Sequence, residues 1–363
     1  MRIVFVRRLE PSRTVALLVP MLSVVLALVV GGILLLAAGA DPIETYAAMF
    51  DGAFGTTYAR SELLVRAIPL MLTGLAVSIA FRMLFWNIGA EGQLAMGAIA
   101  TAWVPLFLLR DANLPPGVLL VLMGITAFLA GALWGLIPAI LKAFLSVNEI
   151  ITTLMLNYVA ILLLDYLYTG PWKDPEGYGF PGTASFKEMA SLPRLPQDLG
   201  FGRVHAGIIL AIVAAALIWL ILVRTKWGYE IRVIGENPEA ARYAGISLVR
   251  NILLVMVVSG GLAALAGYSQ VAGIGHRLQK GITVGDGFTA IIIAWLAKLN
   301  PFGVLIVAVL MAALSVGGEQ ITITMGLPAA MARVLQGAIL FFVLGGEIFV
   351  RYRLQVVRTA DAR

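Results

Sequence analysis

The chain has 363 residues, 60% hydrophobic and 13% charged, with two histidines, no cysteine and a formal net charge of +6. A soluble domain is about 45–50% apolar and about 25% charged, so this composition excludes an ordinary globular protein and points to a polytopic membrane protein. Disulfides, thiolate metal sites and thiol redox chemistry are excluded by the missing cysteines. A histidine-rich metal centre is disfavoured by the separation of His205 from His276.

Apolar runs long enough to cross a bilayer, about 20 residues each, begin near Thr14, Ser61, Gln93, Pro116, Glu149, His205, Asn251, Gly287, Pro301 and Leu327. The expected fold is all-α, with about ten transmembrane helices. An even count puts both termini on one side. With the N-terminus inside, most lysines and arginines fall on cytoplasmic segments, as the positive-inside tendency requires. The net charge is then an orientation signal and needs no nucleic-acid partner.

Residues 1–13 read as a basic cytoplasmic tail. The apolar run after Arg13 is about twice the length of a signal-peptide core, so it is expected to stay as the first span. Residues 41–60 form an external segment with Tyr46, Phe50, Phe54 and Tyr58 suited to an interfacial belt. The second span runs inward to Arg82. Asn87-Ile-Gly-Ala-Glu91-Gly-Gln93 then leads into the third span with no real break in hydropathy. This is the pattern of a discontinuous helix, tolerated at membrane depth only when protein or a watery cavity covers it. A tight cytoplasmic turn capped by Asn87 and Glu91 explains the glycines equally well.

The third span carries small residues at helical spacing, Gly97 with Thr101 and Ala98 with Ala102, which favour close helix packing. The fourth ends at Lys142. On the fifth, Glu149, Thr153 and Asn157 recur every four residues and share one face. Such a stripe must avoid lipid, either by lining a pore or by bonding to other helices. Residues 169–204 make a large external loop, rich in proline and aromatic residues, that suits a folded cap or a docking surface.

The cytoplasmic stretch 224–250 carries its own helix signals. Asn237 is a cap, Pro238 suits the first helical position, Glu239 the first turn, and Gly245 a stop. The predicted helix, about two turns long, is too short to stand alone in water and needs a larger surface to lie on. In the seventh span Gly260, Gly261, Ala263, Ala264 and Gly267 form a second close-packing face. Asp286-Gly287 opens the eighth span as Glu91-Gly92 opens the third, and the two spans cross in opposite directions. Spans two to five and seven to ten are therefore read as an inverted repeat, with the transport path near the paired acids. Arg333 in the tenth span needs a partner, for which Glu319 and Asp286 are the candidates.

Three motifs in this order, NIGAEGQLAMGA, NEIITTLMLNYVA and GENPEAARYAGI, resemble the permease subunit of bacterial ABC importers of the nucleoside type, the branch related to ribose and branched-chain amino acid permeases. The resemblance implies one permease domain over residues 1–363, in the bacterial inner membrane, with both termini cytoplasmic. It makes Glu236, Asn237, Pro238, Glu239, Ala240, Ala241 and Gly245 a coupling helix for a cytoplasmic ATPase subunit, which would hold the ATP and magnesium. This chain has no P-loop of its own and is expected to be no enzyme and to carry no cofactor. A second permease subunit, making a heterodimer, and an external substrate-binding lipoprotein are the other implied partners. The implied substrate is a nucleoside of purine type, with ribose or another simple sugar as the alternative. Asn87, Glu91, Gln93, Glu149, Thr153, Asn157 and Asp286 are placed near the path, and Trp86, Tyr158 and Trp295 are candidates for base stacking. An ion-driven secondary transporter would also use buried carboxylates and inverted repeats, but has no need of a docking helix.

Overall fold

A computed structural model of the chain describes residues 2–7, 13–110, 112, 114–196, 201–328 and 330–357. The apolar runs are helical because lipid offers backbone groups no partner outside the segment. In chain order the helices are α1 (Arg13–Ala37), α2 (Pro42–Phe54), α3 (Thr57–Arg82), α4 (Ala90–Trp103), α5 (Pro116–Leu145), α6 (Glu149–Thr169), α7 (Gly207–Arg224), α8 (Lys226–Glu236), α9 (Pro238–Tyr243), α10 (Leu248–Gln270), α11 (Asp286–Leu296), α12 (Pro301–Met325) and α13 (Ala330–Arg351). A π turn extends α4 over Val104–Leu108, and another extends α10 over Val271–Gly275. The chain divides into two compact units, one of Met1–Thr56 with Ala313–Arg363 and one of Thr57–Ala312.

In the first unit α1 packs along α13. Leu35, Met49, Ile321, Leu327 and Leu335 form its core. The segment after Asp41, expected outside, is a helix, capped by the Asp41 carboxylate and bent by 113° from the preceding helix. Tyr46 ties α2 back to α1 by donating to the Leu28 carbonyl at 2.6 Å. The two ends of the chain, expected as tails, add a feature to the all-helical fold. Strand β1 (Arg2–Arg7) pairs antiparallel with β2 (Tyr352–Val357). The proposed partner of Arg333 is a correction: among the described residues Arg333 forms no ion pair with Glu319, and both side chains are exposed.

The second unit is organised on α3, in which every residue from Ala67 to Phe81 is buried. Helices α10, α11 and α7 pack against it, and α4 and α5 lie against α10. The small residues act as the sequence suggests. Gly97 of α4 meets the backbone of Ala264, Gly131 of α5 meets Gly260, and Gly267 of α10 meets Leu94. The described residues of the loop expected outside form a folded cap over the end of α10. Thr183 N–H donates to Leu278 O at 2.9 Å, Phe186 N–H to His276 O at 2.8 Å and Leu192 N–H to Ala272 O at 2.8 Å. His205 is buried beneath it, and this burial, with His276 a lesser cause, pushes its imidazole down to about 4. It is therefore neutral at neutral pH.

Among the described residues six helices are long and apolar enough to cross a membrane, namely α3, α5, α6, α7, α10 with its π turn, and α12, with the bent α1–α2 pair a seventh. Helix α11 has 11 residues. This length corresponds to about 17 Å, short of a hydrocarbon core about 30 Å thick.

The glycine contacts give a direct test. A Cβ at Gly260 would collide with the main chain of Gly131, so Gly260→Ala is expected to cost about 1–3 kcal/mol and to lower the unfolding temperature in detergent. Gly337→Ala, with open space around it, should leave that temperature unchanged or raise it.

Candidate functional site

Helix α3 stops at Arg82 and α4 starts at Ala90, leaving residues 83–89 as irregular backbone whose polar groups need partners. The side chains that satisfy them come from the stretch itself and from α6 and α10. Asn87 donates to Gln93 Oε1 at 3.0 Å and to Ser259 Oγ at 2.9 Å, while its own Oδ1 accepts from Gly89 N–H at 3.0 Å and Gln93 Nε2 at 3.1 Å. Ser259 passes the chain on to Ala76 O at 2.6 Å. From α6, Asn157 accepts from Gly92 N–H at 2.8 Å and donates to Ile88 O at 2.7 Å, and Thr153 Oγ1 accepts from Ile88 N–H at 3.3 Å. The polar stripe of α6 thus faces the break. Glu149, at the start of that stripe, pairs with Lys142 Nζ at 2.7 Å.

The N-terminus of α11 meets that of α4. Glu91 accepts from Gly285 N–H at 2.8 Å and from Gly287 N–H at 2.6 Å, gripping the backbone on both sides of Asp286. Gly287 lies so close to the backbone of Ala90 and Glu91 that only hydrogen fits in place of a side chain. Two helix ends therefore share one buried side chain as acceptor for their free N–H groups. Asp286, also buried, accepts from Gln270 Nε2 at 2.7 Å and has Arg66 Nη2 3.9 Å away. The acid-glycine pairs that the sequence placed at equivalent positions are thus in contact.

The stretch expected on the cytoplasmic side contains two helices, where the sequence signals defined one. Helix α9 has the expected limits: Asn237 accepts from Glu239 and Ala240 N–H, both at 3.0 Å, Pro238 is its first residue and Gly245 follows it at φ +77°. Ala241 is buried, while Glu236, Asn237, Pro238, Glu239, Ala240 and Gly245 are exposed and Tyr243 is 94% exposed. The half before it, from Lys226, is α8, started by Thr225 and seated on the membrane unit. Glu230 of α8 is buried and accepts from Arg250 at 2.6 Å and Asn251 at 2.9 Å. Arg232 donates to Leu222 O, and Gly235 rests on the backbone of Arg82. Arg82 in turn donates to Leu299 O at 3.0 Å. The seat of α8 is therefore the end of α3 where the break begins.

Six of the seven expected path residues fall into two groups on this frame: Asn87, Gln93, Thr153 and Asn157 around the break, and Glu91 with Asp286 at the helix ends. Glu149 stands with Lys142. Among the aromatic candidates, Trp86 and Trp295 lie 5.8 Å apart with Phe81 beside both, at 5.0 and 6.0 Å, whereas Tyr158 is on the exposed side of α6. The sequence reading did not single out Arg66, Gln270 or Ser259. A charged residue inside an apolar run is itself a signal, but Arg66 lies near the start of its span and reads as part of the external charge.

Residues 59–344 match the family described as branched-chain amino acid transport system / permease component. The chain is 39% identical to the glucose ABC transporter permease protein TsgB13 of Haloferax volcanii, over 96% of this chain and 93% of that one. It is 37% identical to the guanosine ABC transporter permease protein NupP of Bacillus subtilis, over 90% and 92%. With the nucleoside ABC transporter permease protein NupB of Lactococcus lactis the identity is 32%, over 92% of each.

Two measurements probe this geometry. Glu91→Ala leaves two buried N–H groups without acceptors and is expected to cost about 3 kcal/mol, seen as a lower unfolding temperature, with Glu91→Gln falling between it and wild type. The Asn251 and Arg250 hydrogen bonds hold the Glu230 carboxyl below its ordinary 4.5. Its contribution is then complete above pH 4.5 and is lost as the pH falls through the folded value. The difference in unfolding temperature between wild type and Glu230→Gln should therefore be full at pH 7 and shrink below pH 4.5.

Proposed function

The chain belongs to the permease-component family of branched-chain amino acid transport systems, and on that premise we propose that it forms the membrane path of an ATP-driven nucleoside importer working by alternating access. The observation that carries this reading is α9, a six-residue helix with one buried side chain, held out on a seat that leads to the broken helix. A helix this short has no reason to persist unless a larger body covers it. That body is the cytoplasmic ATPase subunit, which binds ATP and magnesium, and both chain termini lie on its side of the membrane. A second permease subunit completes the path. An external binding lipoprotein delivers substrate to the cap at residues 169–204.

In this mechanism closure of the ATPase pair moves α9, and α8 transmits the movement. The contacts of Gly235 with Arg82 and of Glu230 with Arg250 and Asn251 carry it to the ends of α3 and α10. Asp286 lines the path. Asn87, Glu91, Gln93, Thr153 and Asn157 hold the irregular backbone around it, and the Glu149–Lys142 pair stands at its cytoplasmic end. Nucleoside as substrate is supported by the names of two relatives, guanosine and nucleoside permeases. A sugar is the second reading, favoured by the 39% identity to a glucose permease.

Co-expression with ATPase, second permease and binding-protein subunits tests the proposal through uptake of radiolabelled guanosine. Uptake is expected to need ATPase catalysis and to vanish when Pro238–Ala240 is deleted from a complex that still assembles in the membrane. Uptake that persists without the ATPase and collapses with the proton gradient would contradict it.

A further inference from the structure

Arg66 is a charged side chain with a buried, unpaired donor. It lies on α3 nine residues after Thr57, about 14 Å along the helix, and its neighbours from Ala67 onward are buried. Its Nε is buried without an acceptor among the described residues, and the ion pair of the guanidinium with Asp286 Oδ1 is long at 3.9 Å. Yet 31% of the side chain is exposed. A guanidinium at this depth is not turned to lipid without heavy cost, so the exposed part faces water or a partner subunit along the path. Asp286 is held in place from both sides, its Oδ2 by Gln270 and its flanking N–H groups by Glu91. What remains unused is Oδ1 and the donor edge of Arg66.

We propose that Arg66 and Asp286 form a binding station for a vicinal diol, the pair of adjacent hydroxyls found on a ribosyl or glycosyl ring. One hydroxyl oxygen sits at a normal hydrogen-bond length of about 2.8–3.0 Å from both Arg66 Nη2 and Asp286 Oδ1, accepting from the first and donating to the second. Arg66 Nε and the Asp286 side chain are buried, so the diol reaches them when the path opens around the pair. The neighbouring hydroxyl accepts from Arg66 Nε, whose fixed fork places two donors side by side. Glu91 and Gln270 are positioning residues, since their own bonds fix Asp286. The station rests on the importer reading above, and it reconciles the named substrates of the relatives: glucose and guanosine differ in their base and ring but both present adjacent hydroxyls.

The test uses the complete importer in proteoliposomes, comparing uptake of guanosine with 2′,3′-dideoxyguanosine, each corrected for its affinity for the binding protein. Wild type should favour guanosine by about tenfold or more, because a site built to bond a hydroxyl rejects the analogue without it. Arg66→Gln should raise the KM for guanosine about tenfold and leave the dideoxy compound nearly unchanged, erasing the preference. Arg66→Lys keeps the charge beside Asp286 but lacks the fork, and should show the same selective loss if Arg66→Gln does not assemble. Equal effects on both substrates, or a preference untouched by either change, would overturn the proposal. If wild type takes up glucose and no nucleoside, the nucleoside reading fails by itself, and the same variants compared on glucose and 2-deoxyglucose decide the diol station.

Discussion

The grip of Glu91 on the backbone around Asp286 is the interaction on which the rest of the membrane unit depends. Inside a bilayer every N–H and C=O must find a partner in the protein, and two helix ends that meet head to head leave donors pointing at each other. A carboxylate bonded at 2.8 and 2.6 Å to Gly285 and Gly287 resolves that conflict. The small size of Gly287 then follows from steric need. The rest of the break obeys the same rule, with Asn157 and Asn87 each offering an amide that donates and accepts at once.

The same break meets the seat of α8. Arg82 ends α3, supports Gly235 of α8 and bonds to Leu299 between α11 and α12. A displacement of α8 is thus imposed where α3 gives way to irregular backbone, with no regular helix to absorb it. Close glycine contacts among α4, α5 and α10 make that part of the bundle stiff. Stiff packing next to a hydrogen-bonded break is an arrangement in which small shifts at one end have defined consequences at the other.

What the sequence disclosed was local. The limits of α9 were legible because Asn237, Pro238 and Gly245 act within one turn of themselves. Helix α8 was not, since its stability comes from Glu230, Arg232 and Gly235 meeting residues on other elements. The acid-glycine correspondence at Glu91 and Asp286 was visible as a pattern. Their contact was hidden, because Glu91 reaches backbone atoms about 195 residues away. Arg66 was obscured for the same reason, its partner Asp286 being equally remote. Hydropathy was also silent on the pairing of the two chain ends.

The central claim is that ATP, acting through α9, controls access to the station at Asp286. Because the chain contains no cysteine, a single thiol can report on it. Val284 is 38% exposed, two residues before Asp286. The measurement is the rate at which Val284→Cys, in the assembled importer, reacts with a membrane-impermeant reagent added outside. The account predicts that this rate differs between nucleotide-free and ATP-trapped complexes and that the difference disappears when Pro238–Ala240 is deleted. The same rate in every nucleotide state would contradict it.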